Sequence, residues 1–170
     1  MFEDDDDIPW ASPEIQRDYE AALGSFILAF NRVDHDLGVV LVQAFDQAGI
    51  EILAERFVRR AGFKERLELA KLFSQHPAGT YLKGICVDRL RVLSEHRNTL
   101  AHGHFDQNPF DGDFKIVERK KIKEYPAEQI QQLTREIDQI WDSIRLAEAQ
   151  YIFADVSIEE PRPSSDSRAD

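Results

Sequence analysis

Four side chains able to do chemistry fall close together in the stretch Ser94–Glu95–His96–Arg97–Asn98–Thr99–Leu100–Ala101–His102–Gly103–His104–Phe105. They are Arg97, Asn98, His102 and His104. If a helix runs as far as His102, residues four apart share a face, so Asn98 lies beside His102 and can orient its imidazole. Arg97 precedes His102 by five positions, roughly 140° away at about 100° per residue. One helix therefore aims both at a single small group only if its end unwinds or a second copy contributes. A two-fold dimer of this helix would bring two arginines and two histidines into one cleft. That set suits a phosphodiester. The planar guanidinium grips phosphate oxygens and stabilises the charge added in the transition state. One histidine protonates the leaving 5′ oxygen while another accepts the 2′-hydroxyl proton. Such chemistry cuts RNA, spares DNA and needs no metal or cofactor.

The elements that must position these residues are legible as helices. Ser12–Pro13–Glu14 combines a capping serine, a proline at the first helical position and an acid in the first turn. From there Leu23, Phe26, Ile27, Phe30, Val33, Leu37, Val40, Leu41, Ala44 and Phe45 recur at spacings of three and four, which predicts a helix to about Gln47, ended by Ala48–Gly49. A second helical region spans Glu51 to Gln75 with a break near Gly62, its buried face drawn from Leu53, Phe57, Ala61, Leu67, Ala70 and Phe73. His76–Pro77–Ala78–Gly79 reads as a turn. The next helix, from about Thr80, carries Leu82, Cys86, Leu90, Leu93, Arg97 and Leu100 on one stripe and stops at Gly103 in a left-handed conformation. Residues 104–125 read as a loop with room for a short hairpin at Phe114–Val117. Pro126 then opens a last helix with the stripe Ile130, Leu133, Ile137, Ile140, Trp141, Ile144, Ala147 and Tyr151. Two charges interrupt these seams, Asp34 in the first helix and Arg97 in the third. If the two helices pack antiparallel each satisfies the other, so Asp34 is expected to hold Arg97 in one direction.

The 170 residues fit one domain, with residues 1–11 an acidic lead, 12–153 the helical body and 154–170 a disordered, proline- and serine-bearing tail. The net charge of −11 is concentrated at the ends: the five acids of Glu3 to Asp7 and a net of −3 in residues 154–170 leave only −3 for the body. Within the body, Arg56, Arg59, Arg60, Lys64 and Arg66 form a basic run that would suit an RNA backbone, and Lys115, Arg119 to Lys121 and Lys123 form another. The acidic lead serves solubility or shields a basic cleft. No apolar run reaches the roughly 18 residues of a membrane span, and the acidic start does not look like a signal peptide. A lone Cys86 inside an apolar pattern reads as a buried thiol in a cytoplasmic protein.

Arg97–Asn98–Thr99–Leu100–Ala101–His102 resembles the Arg-x4-His motif of the HEPN superfamily, whose arginine is often followed by a polar residue. The similarity in helix order covers roughly residues 12–153. The resemblance implies an all-α fold, an antiparallel bundle of four to five helices with a short insert before the last. It also implies a homodimer with a composite site, in which Arg97 and His102 are catalytic and Asn98 is the polar neighbour; Asp34, from its place on the first helical seam, and His104, beside His102, are read as supporting residues. Many HEPN domains are metal-independent endoribonucleases of toxin–antitoxin or other defence systems; others are non-catalytic RNA-binding, regulatory or protein-interaction modules. Either role leaves room for a partner antitoxin or regulatory protein, whose existence the residues do not decide. HEPN toxins paired with a nucleotidyltransferase antitoxin carry a tyrosine two residues after the histidine, where this chain has His104. A looser likeness to the mannitol-operon repressor family is confined to helical layout.

Other chemistries fit less well. His102, His104 and Asp106 have the types for a zinc site, but one such cluster without further His or Cys is weakly specific. Asp111–Gly112 and Glu118 imitate part of a calcium loop, yet Gln107 and Pro109 stand where carboxylates are needed. There is no nucleophilic serine or cysteine motif and no phosphate-cradling glycine loop. His35, His76 and His96 read as surface or structural.

Overall fold

A computed structural model describes residues 11–118 and 121–153. Its longest element, α1 (Pro13–Gln47), starts as its sequence dictates: the Ser12 hydroxyl accepts a hydrogen bond from the Glu14 amide at 3.3 Å, and Pro13 occupies the first turn, where no amide is needed. It ends where Gly49 adopts φ +70°, a left-handed turn open to glycine. Phe26, Val33, Leu37, Val40 and Leu41 are wholly buried along its inner stripe.

The last helix, α4 (Ala127–Phe153), lies along α1 and buries Ile130, Ile137 and Ile144 against it. Polar rungs fix their register: Arg32 meets Asp138 at 2.6 Å, Trp141 Nε1 donates to Asp36 at 2.7 Å, and the Tyr151 hydroxyl donates to Asp46 at 2.7 Å. Both numbers rise together down this ladder, so α1 and α4 run parallel. Burial alone would push the Asp36 carboxyl up, but hydrogen bonds from His35 and Trp141 more than reverse this and hold it below the usual carboxylate range.

Between these two helices the chain turns back twice. The expected single region 51–75 is three pieces: a 3-10 turn Glu51–Leu53, a π-helical turn Glu55–Arg59, and α2 (Phe63–Phe73). Of the first two only Val58 is buried, with Ala54 between them, and Phe57, expected inside, is 44% exposed. The π turn shifts the face of the helix, so spacing of three and four no longer selects the inside. At the start of α2 the Glu65 carboxylate accepts from the Gly62 amide at 2.8 Å. The next helix also starts later than its stripe suggests. Pro77–Gly84 is a 3-10 segment, Cys86 sits exposed before the first turn, and α3 is Val87–His102. The contacts Phe30–Phe63 and Phe45–Phe73 set α2 parallel to α1, while the Arg89–Glu136 and His96–Tyr125 pairs set α3 antiparallel to α4.

Residues after α3 form more than a hairpin. Strands β1 (His104–Gln107), β2 (Phe114–Glu118) and β3 (Lys121–Glu124) make an antiparallel sheet in that order. Its register places Phe105 opposite Ile116 and Ile116 opposite Lys123. Ile116 is fully buried, and Phe114 stacks on Tyr19 of α1 with ring centres 3.9 Å apart. Burial pushes the Tyr19 hydroxyl up to about 12. The architecture is thus a mainly helical bundle with a small sheet closing one end. Among the described residues, no helix is long and apolar enough to cross a membrane. The expected acidic lead up to residue 10, the bases Arg119 and Lys120, and the tail from residue 154 lie outside the described residues.

Candidate functional site

The end of α3 is shaped by close packing. Gly103 caps the helix with φ −72° and ψ 154°, an extended conformation rather than the left-handed one expected. The glycine is needed for a different reason. A Cβ here would overlap Ile116 Cγ2 of β2 and come within 2.7 Å of the Thr99 carbonyl. The helix therefore stops where the sheet crosses it, and His102 and His104 flank that crossing, both exposed. Thr99 is buried, and its hydroxyl lies 3.1 Å from the Lys123 ammonium, a further tie between α3 and β3.

Arg97 stands on the side of α3 that faces α1 and α2. A cleft of about 690 Å³ opens there, walled by Phe30, Asp34, Phe63, Lys64, Arg91, Arg97 and Asn98 among others. The Arg97 guanidinium lies over the Phe30 ring at 6.0 Å, and its Nη1 donates to the Asn98 side-chain oxygen at 3.3 Å. Its Nε is closed off from solvent with no hydrogen-bond partner.

The expected Asp34–Arg97 pair does not form. Asp34 instead accepts from Arg66 Nη1 at 2.7 Å; Arg66 also donates to the Asp34 carbonyl at 3.2 Å and, through Nε, to the Val58 carbonyl at 3.1 Å. The reason lies in the packing. The main neighbour of α1 is α4, and α2 fills the groove beside Asp34, so Arg66 of α2 reaches the carboxylate that α3 was expected to claim. Asp34 and Arg97 still line the same cleft without touching. Asn98 is likewise bonded to Arg97 and not to His102, so its expected role in orienting the imidazole is not realised here.

The basic run disperses when folded. Arg66 is spent on Asp34, and Arg59 pairs with Glu55 at 3.2 Å. Arg56 and Arg60 border a separate apolar hollow with Phe57 and Leu72, while Lys64 alone of the five shares the Arg97 cleft. Two residues of that cleft had no signal in the sequence. Phe63 packs on Phe30 at 4.8 Å, and Arg91 pairs with Glu68 at 2.6 Å at the cleft wall. His96 is structural: its Nδ1 lies 2.9 Å from the Tyr125 hydroxyl, and burial, then the Arg89 charge, lower its pKa. His102, His104 and Asp106 do not gather about one point. Among the described residues no three His, Cys, Asp or Glu side chains are placed to hold a metal ion.

Chemically, the cleft offers a guanidinium with unused donor capacity, an aromatic wall and a neighbouring amide. Comparison with family models, with curated proteins and with solved structures returned no match to this chain.

Proposed function

We propose that this protein is a metal-independent endoribonuclease of HEPN type, acting as a homodimer. One observation carries the reading. Of the four half-buried arginines, Arg66, Arg89 and Arg91 each reach a carboxylate, and Arg97 reaches none among the described residues. A guanidinium partly withdrawn from water without a counter-charge is costly. An anion entering the cleft would offset that cost, and a phosphate matches the guanidinium fork. Arg97 then holds the phosphate and stabilises the added negative charge. His102, exposed on the stripe of α3 that Arg91, Glu95 and Asn98 share at spacings of four and three, transfers the proton. Asn98, bonded to Arg97, fixes the guanidinium rather than the imidazole. A second copy supplies the other half of the site. Toxin or defence activity and an antitoxin or regulatory partner belong to the same proposal.

The test is cleavage of labelled single-stranded RNA in EDTA, with His102→Ala and Arg97→Ala beside the unaltered protein. Cleavage that leaves 2′,3′-cyclic phosphate ends and disappears in both variants is the expected result. A second reading, a non-catalytic HEPN-like RNA-binding or protein-interaction module, is favoured by one feature: His102 is not among the residues lining the Arg97 cleft. RNA binding that depends on Arg97, with no cleavage of any RNA, would select that reading.

A further inference from the structure

We propose that a second copy of this chain docks along the free edge of β1, joining two three-stranded sheets into one of six strands. The inference rests on the preceding reading only in taking the partner to be a second copy.

The ladder shows which backbone groups the edge offers. Asn108 donates to the Asp113 carbonyl at 2.9 Å, continuing the β1–β2 register in which Gln107 faces Phe114. In an antiparallel ladder, hydrogen-bonded pairs alternate with non-bonded ones. Asp106 and His104 therefore exchange hydrogen bonds with β2, and the amides and carbonyls of Phe105 and Gln107 point to the open side. Among the described residues no strand takes them up. An edge with aligned, unused donors and acceptors is a template for another strand.

Charge then selects the partner and the register. Two-fold antiparallel pairing of β1 with itself must bring outward-pointing backbone groups together. It does so with Phe105 opposite Phe105, shifted so that Phe105 meets Gln107, or with Gln107 opposite Gln107, where Phe105 meets Pro109 and its missing amide. The shifted register sets Asp106 against Asp106 across the axis, which is repulsive. The centred register sets His104 of each copy against Asp106 of the other, twice, and joins the two Phe105 rings, which are 39% exposed in one copy. It also places Gln107 opposite Gly103, so the turn after β1 of one copy passes the end of α3 in the other. The two Gly103 residues then stand roughly 13 Å apart along the junction, four strand residues at about 3.3 Å each. That spacing brings the ends of the two Arg97–His102 segments to one junction.

Sedimentation of the full chain without RNA tests this separately from any cleavage assay. The unaltered protein should be a dimer. His104→Asp, which sets like charges together, and Gln107→Pro, which removes one outward amide without touching the β1–β2 ladder, should each weaken association at least tenfold, with unchanged circular dichroism. Combining His104→Asp with Asp106→His restores opposite partners and should recover most of the lost affinity. A monomer at all concentrations, or a dimer indifferent to all three changes, would overturn the proposal. A β1-linked dimer that cuts no RNA would leave it standing and remove the ribonuclease reading.

Discussion

Arg97, in the cleft, and Arg66, bonded to the Asp34 of its wall, show how two arginines divide structure from chemistry. Arg66 closes α1, the π turn and α2 with three hydrogen bonds, and its side chain is only 18% exposed. Arg66→Ala leaves an acid and two carbonyls short of a donor and should cost about 2 kcal/mol in urea unfolding. Arg97→Ala should change stability by less than about 1 kcal/mol, since no carboxylate loses a partner. The same change should lower RNA cleavage by about 100-fold or more, read from single-turnover rates, if the guanidinium stabilises the transition state. Gly103 belongs at this scale too. Gly103→Ala forces Ile116 or the end of α3 to move and should destabilise by about 1–3 kcal/mol, measured by thermal melting.

Helix α3 is tied to its neighbours through a titrating group. Burial and Arg89 keep the His96 ring below its ordinary pKa, so the unfolded chain takes up that proton first as pH falls. The stability contributed by the neutral ring is complete above about pH 6.5, the unfolded value, and is lost as pH falls toward the folded value. Urea midpoints should therefore decline from pH 7 to pH 5, and the slope should shrink in His96→Gln. The α1–α4 ladder gives a second check on an element. Trp141→Phe removes the Asp36 hydrogen bond and weakens the stacking of Arg32, whose guanidinium lies 4.0 Å above the ring, and should cost about 1–2 kcal/mol.

Across the whole molecule, the parallel α1 and α4 form a spine against which α2 and α3 are laid, with the sheet at the end where α1 begins. The site lies on the α2–α3 side of that spine, away from the Arg32–Trp141 rungs. Acidic charge is heaviest in residues outside the described body, so local charge and not the net −11 decides what the cleft can bind. RNA association should weaken steeply as salt rises, and Lys64→Ala should lower affinity more than Arg59→Ala, because only Lys64 shares the cleft with Arg97.

Helical class, the limits of α1 and the start of α4 were legible in the residues, because Ser12–Pro13, Gly49 and Pro126 act locally and an apolar stripe over nine turns leaves little choice. The motif segment at the end of α3 was legible for the same reason. What tertiary structure alone decided was partnership. Asp34 and Arg97 are complementary on paper, but a charge pairs with whatever cation packing brings near, and α2 brought Arg66. The π turn at Glu55–Arg59 altered the phase of its segment and turned Phe57 outward, which no fixed spacing could register. Gly103 was legible as a stop, but its cause, the approach of Ile116 from a strand thirteen residues on, exists only once the sheet has folded across the helix end.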